Sequence, residues 1–154
     1  MIWSYKNNGH IHFSTNMKQT ILIVDDNDVL LKLLRRVFEK DYNVFTASDG
    51  VEAMTFLSRG IKTDLIISDL NMNNINGYDL IKHLSTSSLY KKIPVIVLTA
   101  SYNIDLNPLK NLFVVAQVLN KPFDPLVLKN AVKETLESNR ASNDTKYQIL
   151  KKMN

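Results

Sequence analysis

Cysteine is absent from the chain, which excludes disulfide frameworks and thiolate metal sites. Long hydrophobic runs are missing as well. The longest extend over about six residues, far short of the length a membrane-spanning helix needs. A secretory signal is not evident either, because Ile2-Trp3 gives way at once to polar residues. Lysine and arginine gather only around Tyr90-Lys91-Lys92 and in the C-terminal tail, and otherwise lie scattered. A nucleic-acid surface needs a basic stripe that neutralises several phosphates, so the formal charge of +4 reads as solvated surface. Neither a nucleic acid nor a membrane is expected as a direct partner, and the cytoplasm is the expected location. There are no repeats and no low-complexity segments.

What the sequence has is a set of short apolar runs, each ending on a reactive polar group. With 154 residues, 45% of them hydrophobic and 22% charged, the chain is long enough to bury one ordinary core. Leu65-Ile66-Ile67 reads as a buried strand that ends at Ser68-Asp69. Ile21-Leu22-Ile23-Val24 is followed by Asp25-Asp26, Val95-Ile96-Val97-Leu98 by Thr99, and Val118-Leu119-Asn120 by Lys121-Pro122-Phe123. An Asp after a strand often only caps a turn. Four such ends in one parallel sheet, however, converge on a single edge, where open α/β sheets meet their ligands.

Three clustered carboxylates repel one another unless a cation joins them. A hard divalent ion such as Mg²⁺ takes oxygen ligands, few of them from protein. A hydroxyl and an ammonium opposite the metal can cradle an anionic group. Asp69, on the central strand, is then placed to attack phosphorus and carry a phosphoryl group.

At this point the chain resembles the response-regulator receiver domain of two-component signalling. Val-Asp-Asp at 24–26, Asp-x-x-Met at 69–72 with Gly77 following, Leu-Thr-Ala at 98–100 and Lys-Pro-Phe at 121–123 carry the likeness, which spans about residues 18–138. From Asp26 it is 43 residues to Asp69, 30 more to Thr99 and 22 more to Lys121, intervals similar to those of the family. The resemblance implies a flavodoxin-like sheet of order 2-1-3-4-5, with Asp69 as phosphoacceptor. It also implies that Asp26 ligates Mg²⁺ directly, that Asp25 acts through metal-bound water, and that the Asn71 backbone carbonyl completes the set. Thr99 and Lys121 would each take a phosphoryl oxygen. Three positions depart from the family pattern: Asn73 replaces a usual Pro, Val118 a usual aromatic, and Val114-Val115 a usual Gly-Ala pair. None of these touches the chemistry, but the last two lie where the family transmits its signal.

Taken in order, residues 1–16 read as a flexible leader, and Met17 as a start that fits the first strand better. His10 and His12 lack neighbouring carboxylates and read as part of that leader rather than as a metal pair. From Asn27 to Lys40, Leu30, Leu33, Leu34, Val37 and Phe38 predict an inward helical face, opposed by Lys32, Arg35, Arg36 and Glu39. Residues 43–47 form a second strand. Asp49-Gly-Val-Glu52 resembles a capping box, starting a helix through Ala53, Phe56 and Leu57 that Gly60 ends. Gly77 leads into a helix with Leu80, Ile81 and Leu84 inward. Pro94 precedes the fourth strand, and 114–119 make the fifth. Between them, Asn107 can cap a short helix with Pro108 at its first position, marginal in isolation. Asp124-Pro125 starts a last helix with Leu128, Ala131, Val132 and Leu136 inward. Five strands alternating with helices imply a doubly wound α/β sheet with both faces covered, within a domain of residues 17–138. Residues 139–154 either extend the last helix or fray, and fraying is the default.

Two other functions compete with a stand-alone receiver phosphorylated by a histidine kinase or a phosphotransfer protein and acting on a protein target. A phosphohydrolase of the haloacid-dehalogenase type also uses Asp and Mg²⁺, but its nucleophile stands on the first strand in Asp-x-Asp; here adjacent carboxylates end the first strand and Asp69 ends the third. A phosphorylation-independent scaffold would not need all five polar positions. The expectation is therefore a signalling module rather than an enzyme.

Overall fold

The computed structural model describes residues 18–72, 75–100, 109 and 111–153. The expectations for the leader, for His10 and His12, for Asn73 and for a helix starting at Asn107-Pro108 lie outside those residues. Five strands run in parallel: β1 (Thr20–Val24), β2 (Asn43–Ala47), β3 (Leu65–Asp69), β4 (Val95–Thr99) and β5 (Val115–Asn120). Their order is β2-β1-β3-β4-β5, the doubly wound order expected. Between and after them come α1 (Asp28–Phe38), α2 (Gly50–Ser58), α3 (Gly77–Thr86) and α4 (Pro125–Met153).

Side-chain alternation explains how the helices divide between the faces. Successive strand residues point to opposite sides of a sheet. Ile21, Ile23, Leu65, Ile67, Ile96 and Leu98 pack with Leu31, Leu34 and Phe38 of α1 and with Leu128, Ala131, Val132 and Leu136 of α4. The intervening Leu22, Val24, Ile66, Val95 and Val97 pack with Ala53, Phe56 and Leu57 of α2 and with Leu80, Ile81 and Leu84 of α3. A strand buried on both faces needs apolar residues at nearly every position, and every residue of β1, β3 and β4 is buried. β2 and β5 are the edges and are more exposed, β2 in alternation over its first four residues. Because the chain steps one way from β1 to β2 and the other way thereafter, right-handed crossovers place the helices on opposite faces. The direction changes between β1 and β3, the point where such sheets open a crevice.

Local sequence sets the helix ends. Asn27 caps α1, its side chain accepting from the amides of Val29 and Leu30. Asp49 Oδ1 accepts from the Glu52 amide, as a capping box requires, but the Glu52 carboxylate reaches back to Ser48 N and Oγ rather than to Asp49 N. Gly60, at φ 72°, supplies the left-handed residue just after the second helix. One face was misread: Leu33 is exposed, and Leu31 takes the inward place with Leu34 and Phe38. Their spacing of three and four residues is the one that aims at the sheet. β5 is displaced by one residue from the expected 114–119, although Val114 is itself buried. The last helix continues to Met153 instead of fraying near residue 138. Among its described side chains none beyond Leu136 is buried. No helix of the described residues is long and apolar enough to cross a membrane.

Candidate functional site

The tips of β1, β3, β4 and β5 bring the reactive residues to the C-terminal edge of the sheet. Asp25 follows β1 directly and is buried, its amide held by the Ala47 carbonyl at 3.1 Å. Asp25 Oδ1 accepts from the Asn27 amide at 2.9 Å, and Oδ2 accepts from Lys121 Nζ at 2.7 Å. Asp69, the last residue of β3, is also buried. Its Oδ1 accepts from the Leu70 amide at 2.8 Å, while Oδ2 lies 3.1 Å from Lys121 Nζ. Asp26 is exposed at the mouth. One carboxylate oxygen from each of Asp25, Asp26 and Asp69 falls within 4.8 Å of the others. That spacing and an all-oxygen donor set fit a hard divalent cation.

Lys121 enters from the far side. β4 and β5 pair in parallel with Thr99 opposite Asn120, so Lys121 is the first residue past the strand. Its amide donates to the Thr99 carbonyl at 2.7 Å, which ties the two tips together. Thr99 is fully buried. Burial penalises the Lys121 ammonium, but the hydrogen bond and charge of Asp25, followed by those of Asp69, outweigh it, and the pKa rises above the ordinary lysine value. The ammonium therefore stays charged and spans the two buried carboxylates. Asn71, next to the β3 tip, is exposed. Leu70 and Met72 are buried in the core face that α2 and α3 cover, as packing residues should be.

Contacts of Ser68, Gly77 and Gly50 that the sequence did not foretell also build this edge. Ser68 Oγ donates to the Asp69 carbonyl at 2.9 Å. Gly77 donates its amide to the Leu70 carbonyl at 3.0 Å, and a Cβ there would overlap the Asp69 carbonyl oxygen. Glycine is thus needed for close approach rather than only for turning. Gly50 donates to the Ile75 carbonyl at 3.1 Å, and a Cβ on it would meet Ile75 Cγ2 at 2.5 Å. The loop after β3 is accordingly clamped at one end by α3 and at the other by the start of α2. Gly50 was legible only as part of a capping pattern; nothing in the sequence points to its contact with Ile75.

The geometry agrees with what known proteins show. A family model described as the response regulator receiver domain matches residues 21–133. The chain belongs to that family. Chemotaxis protein CheY1 of Helicobacter pylori is 32% identical over 126 residues, covering 77% of this chain and 98% of CheY1. The transcriptional regulatory protein GlrR of Escherichia coli is 35% identical over 128 residues, covering 82% of this chain. The chain spans only 28% of GlrR's own length. Among solved structures, chemotaxis protein CheY4 of Vibrio cholerae superposes with a TM-score of 0.69 at 28% identity, over 77% of this chain and 98% of that one. A signal receiver domain from an HD domain-containing protein of Pseudomonas fluorescens gives 0.74 at 25% identity, over 80% and 98%. The strand order is the one the family implies.

Proposed function

We propose that this receiver accepts a phosphoryl group on Asp69 from a histidine kinase or a histidine phosphotransfer protein and passes the signal on by binding a protein target. The observation that carries the reading is the bridge of Lys121 Nζ to Asp25 at 2.7 Å and to Asp69 at 3.1 Å, with Asp26 beside them. An ammonium held between buried carboxylates occupies a place where an added anionic group would find a ready counter-charge.

In this reading an oxygen of Asp69 attacks the donor's phosphorus, the P–N bond to the donor histidine breaks, and the imidazole leaves with a proton. Asp26 would hold Mg²⁺ directly and Asp25 through water, with an oxygen of Asp69 and the Asn71 carbonyl completing the protein's share. Bound there, Mg²⁺ neutralises the carboxylates and offsets charge on the transferred group. Thr99 donates its hydroxyl to one phosphoryl oxygen, and Lys121 turns from the carboxylates to another. The protein assists its own phosphorylation and is not a turnover enzyme. A phosphoryl group derived from ATP places the exchange in the cytoplasm.

Exposed apolar residues beside the acidic edge support a protein as donor. Val29 is 76% exposed in the first turn of α1, and Leu126 is 61% exposed at the start of α4. Both follow closely on site residues, Val29 on Asp26 and Leu126 on Lys121. Apolar side chains around a charged centre are what a docking partner buries.

Incubation of the purified chain with acetyl phosphate and Mg²⁺, followed by intact-mass measurement, tests the assignment. One phosphoryl group is expected on the native chain, and none on Asp69→Asn or in the presence of a chelator. Metal-dependent labelling that survives in Asp69→Asn would overturn it, and steady turnover of a phosphate ester would favour the phosphohydrolase.

A further inference from the structure

Asn-Gly, the most reactive Asn-containing dipeptide, occurs at Asn8-Gly9, outside the described residues, and at Asn76-Gly77, where the fold needs both residues. Asn76 caps α3, its Oδ1 accepting from the Asp79 amide at 2.9 Å. Gly77 is fixed by the Leu70 carbonyl and by the space it must leave for the Asp69 carbonyl. Asn and Gly are each a good structural choice, but together they are chemically unstable. The small glycine leaves its amide nitrogen open to the neighbouring carboxamide, the basis of asparagine's thermal lability.

We propose that Asn76 is a site of spontaneous covalent modification, held closed by the native β3–α3 loop and released when that loop opens. The Gly77 amide nitrogen loses its proton to solvent and attacks Cγ of Asn76. The Cγ–Nδ2 bond breaks, ammonia leaves with a proton, and a five-membered cyclic imide forms. Water then opens the imide at either carbonyl, giving an aspartyl or an isoaspartyl residue. One water is consumed and one ammonia released, and no oxidant, cofactor or enzyme enters.

Three features of the native loop oppose the attack. The nucleophilic nitrogen already donates its hydrogen to Leu70 in a buried position. The carboxamide is turned forward to the Asp79 amide, whereas attack needs it folded back over Gly77. The main chain cannot swing to meet it, because Gly77 lies against the Asp69 carbonyl. The rate of modification therefore follows the population of the opened loop, a local event that costs less than global unfolding.

The two products differ in consequence. An aspartyl side chain caps a helix as well as asparagine does and suits its positive end. An isoaspartyl link adds a methylene to the main chain between the cap and Gly77, which breaks the register that seats Gly77 on Asp69. Damage thus falls on the strand end that carries the central carboxylate. The inference uses only the loop's geometry and stands apart from the phosphoacceptor reading.

The test is to age the full chain at mildly alkaline pH, folded in buffer and unfolded in concentrated urea, and to map peptides by mass. Conversion at Asn76 should be at least about tenfold slower in the folded chain, the factor that 1.4 kcal/mol of opening free energy imposes. Equal rates would overturn the protection, and an unmodified Asn76 after long ageing in urea would overturn the site. Protein whose peptide map places isoaspartate at residue 76, separated by ion exchange from chains modified at Asn8, should melt below the fresh chain, whereas Asn76→Asp should melt with it. An unchanged melting temperature of the fraction carrying isoaspartate at residue 76 would overturn the predicted damage. The Asn76→Ser variant keeps the cap and should lose the 76-specific conversion; its survival would mean that another residue was being read.

Discussion

At the C-terminal ends of the strands, segments 25–28, 48–52, 69–72 and 121–124 hold seven carboxylates and a single lysine. At the N-terminal ends, segments 18–19, 39–42, 59–64, 87–94 and 111–114 hold six cations and three carboxylates. Burial separates the two edges further. On the acidic edge, Asp25, Asp69 and Thr99 are inside, and Lys121 is 19% exposed and locked between two partners. On the basic edge, Arg59, Lys91 and Lys92 are exposed, and Lys62 makes a surface pair with Asp64 at 2.9 Å while itself 86% exposed. Charges in water and charges under a roof of packed helices are different objects. The first kind are screened and worth little singly, whereas the second remain strong and must be balanced by position. A net charge of +4 for the whole chain therefore says nothing about the site, whose local charge has the opposite sign.

The largest way to break this contrast is to remove the one cation from the acidic edge. Lys121→Ala leaves Asp25 and Asp69 buried without their shared counter-charge. Removing one partner of such a pair costs about 3 kcal/mol or more. Chemical denaturation without metal should therefore show a clear loss of stability. Saturating Mg²⁺ should restore much of it, because a bound cation takes over the neutralising role by mass action. The variant should bind Mg²⁺ at least as tightly as the native chain, since Lys121 no longer competes for the same oxygens. Yet it should show a weakened conformational response to phosphorylation. Unchanged stability without metal would mean that the bridge contributes nothing to the fold.

A smaller effect sharpens the division within the acidic edge. Asp26→Ala removes a proposed direct ligand, and Asp25→Asn removes one that acts through water. Losing an outer partner lowers metal affinity by about 10- to 100-fold, so Asp26→Ala should exceed that range and Asp25→Asn should fall within it. Calorimetric titration of Mg²⁺ into the two variants measures the difference. Equal affinities would dissolve the distinction between the exposed and the buried carboxylate.

Much of this was legible in the sequence because chemistry and topology constrain the same residues. Asp25, Asp26, Asp69, Thr99 and Lys121 each follow a run of apolar residues, and a parallel sheet brings such ends together whatever covers it. The inward residues of α2, α3 and α4 were read correctly because each stripe is apolar on one side only. Helix α1 defeated the same reasoning. Its Leu30, Leu31, Leu33, Leu34, Val37 and Phe38 offer two overlapping stripes, and only the sheet beneath decides between Leu31 and Leu33. The contacts of Gly50 with Ile75 and of Gly77 with Asp69 were hidden for a related reason. A glycine forced by a distant backbone looks in sequence like any turn glycine. For residues 139–154 the sequence left a helix extension and a frayed tail both open, with fraying the default, and the helix continues to Met153.

The smallest expected effect lies at the basic edge. Five-residue strands separate it from the carboxylates by about 17 Å, roughly twice the Debye length of about 8 Å at physiological ionic strength. Lys91 and Lys92 are exposed, so solvent screens them over that whole path. Reversing both, as Lys91→Glu with Lys92→Glu, changes the formal charge by four, yet it should leave Mg²⁺ affinity and the rate of phosphoryl acceptance at physiological salt unchanged within about twofold. Folding stability should move by no more than about 0.5 kcal/mol, as surface substitutions do. Lowering the salt to about 0.01 M extends the Debye length to about 30 Å. Under that condition the added negative charge should tighten Mg²⁺ binding measurably, because the field then reaches the site. Metal titrations of both proteins at the two salt concentrations check this. A large change at physiological salt would mean that the two edges are coupled through the structure rather than through the solvent-screened field. The contrast between a buried and a solvated set of charges would then fail.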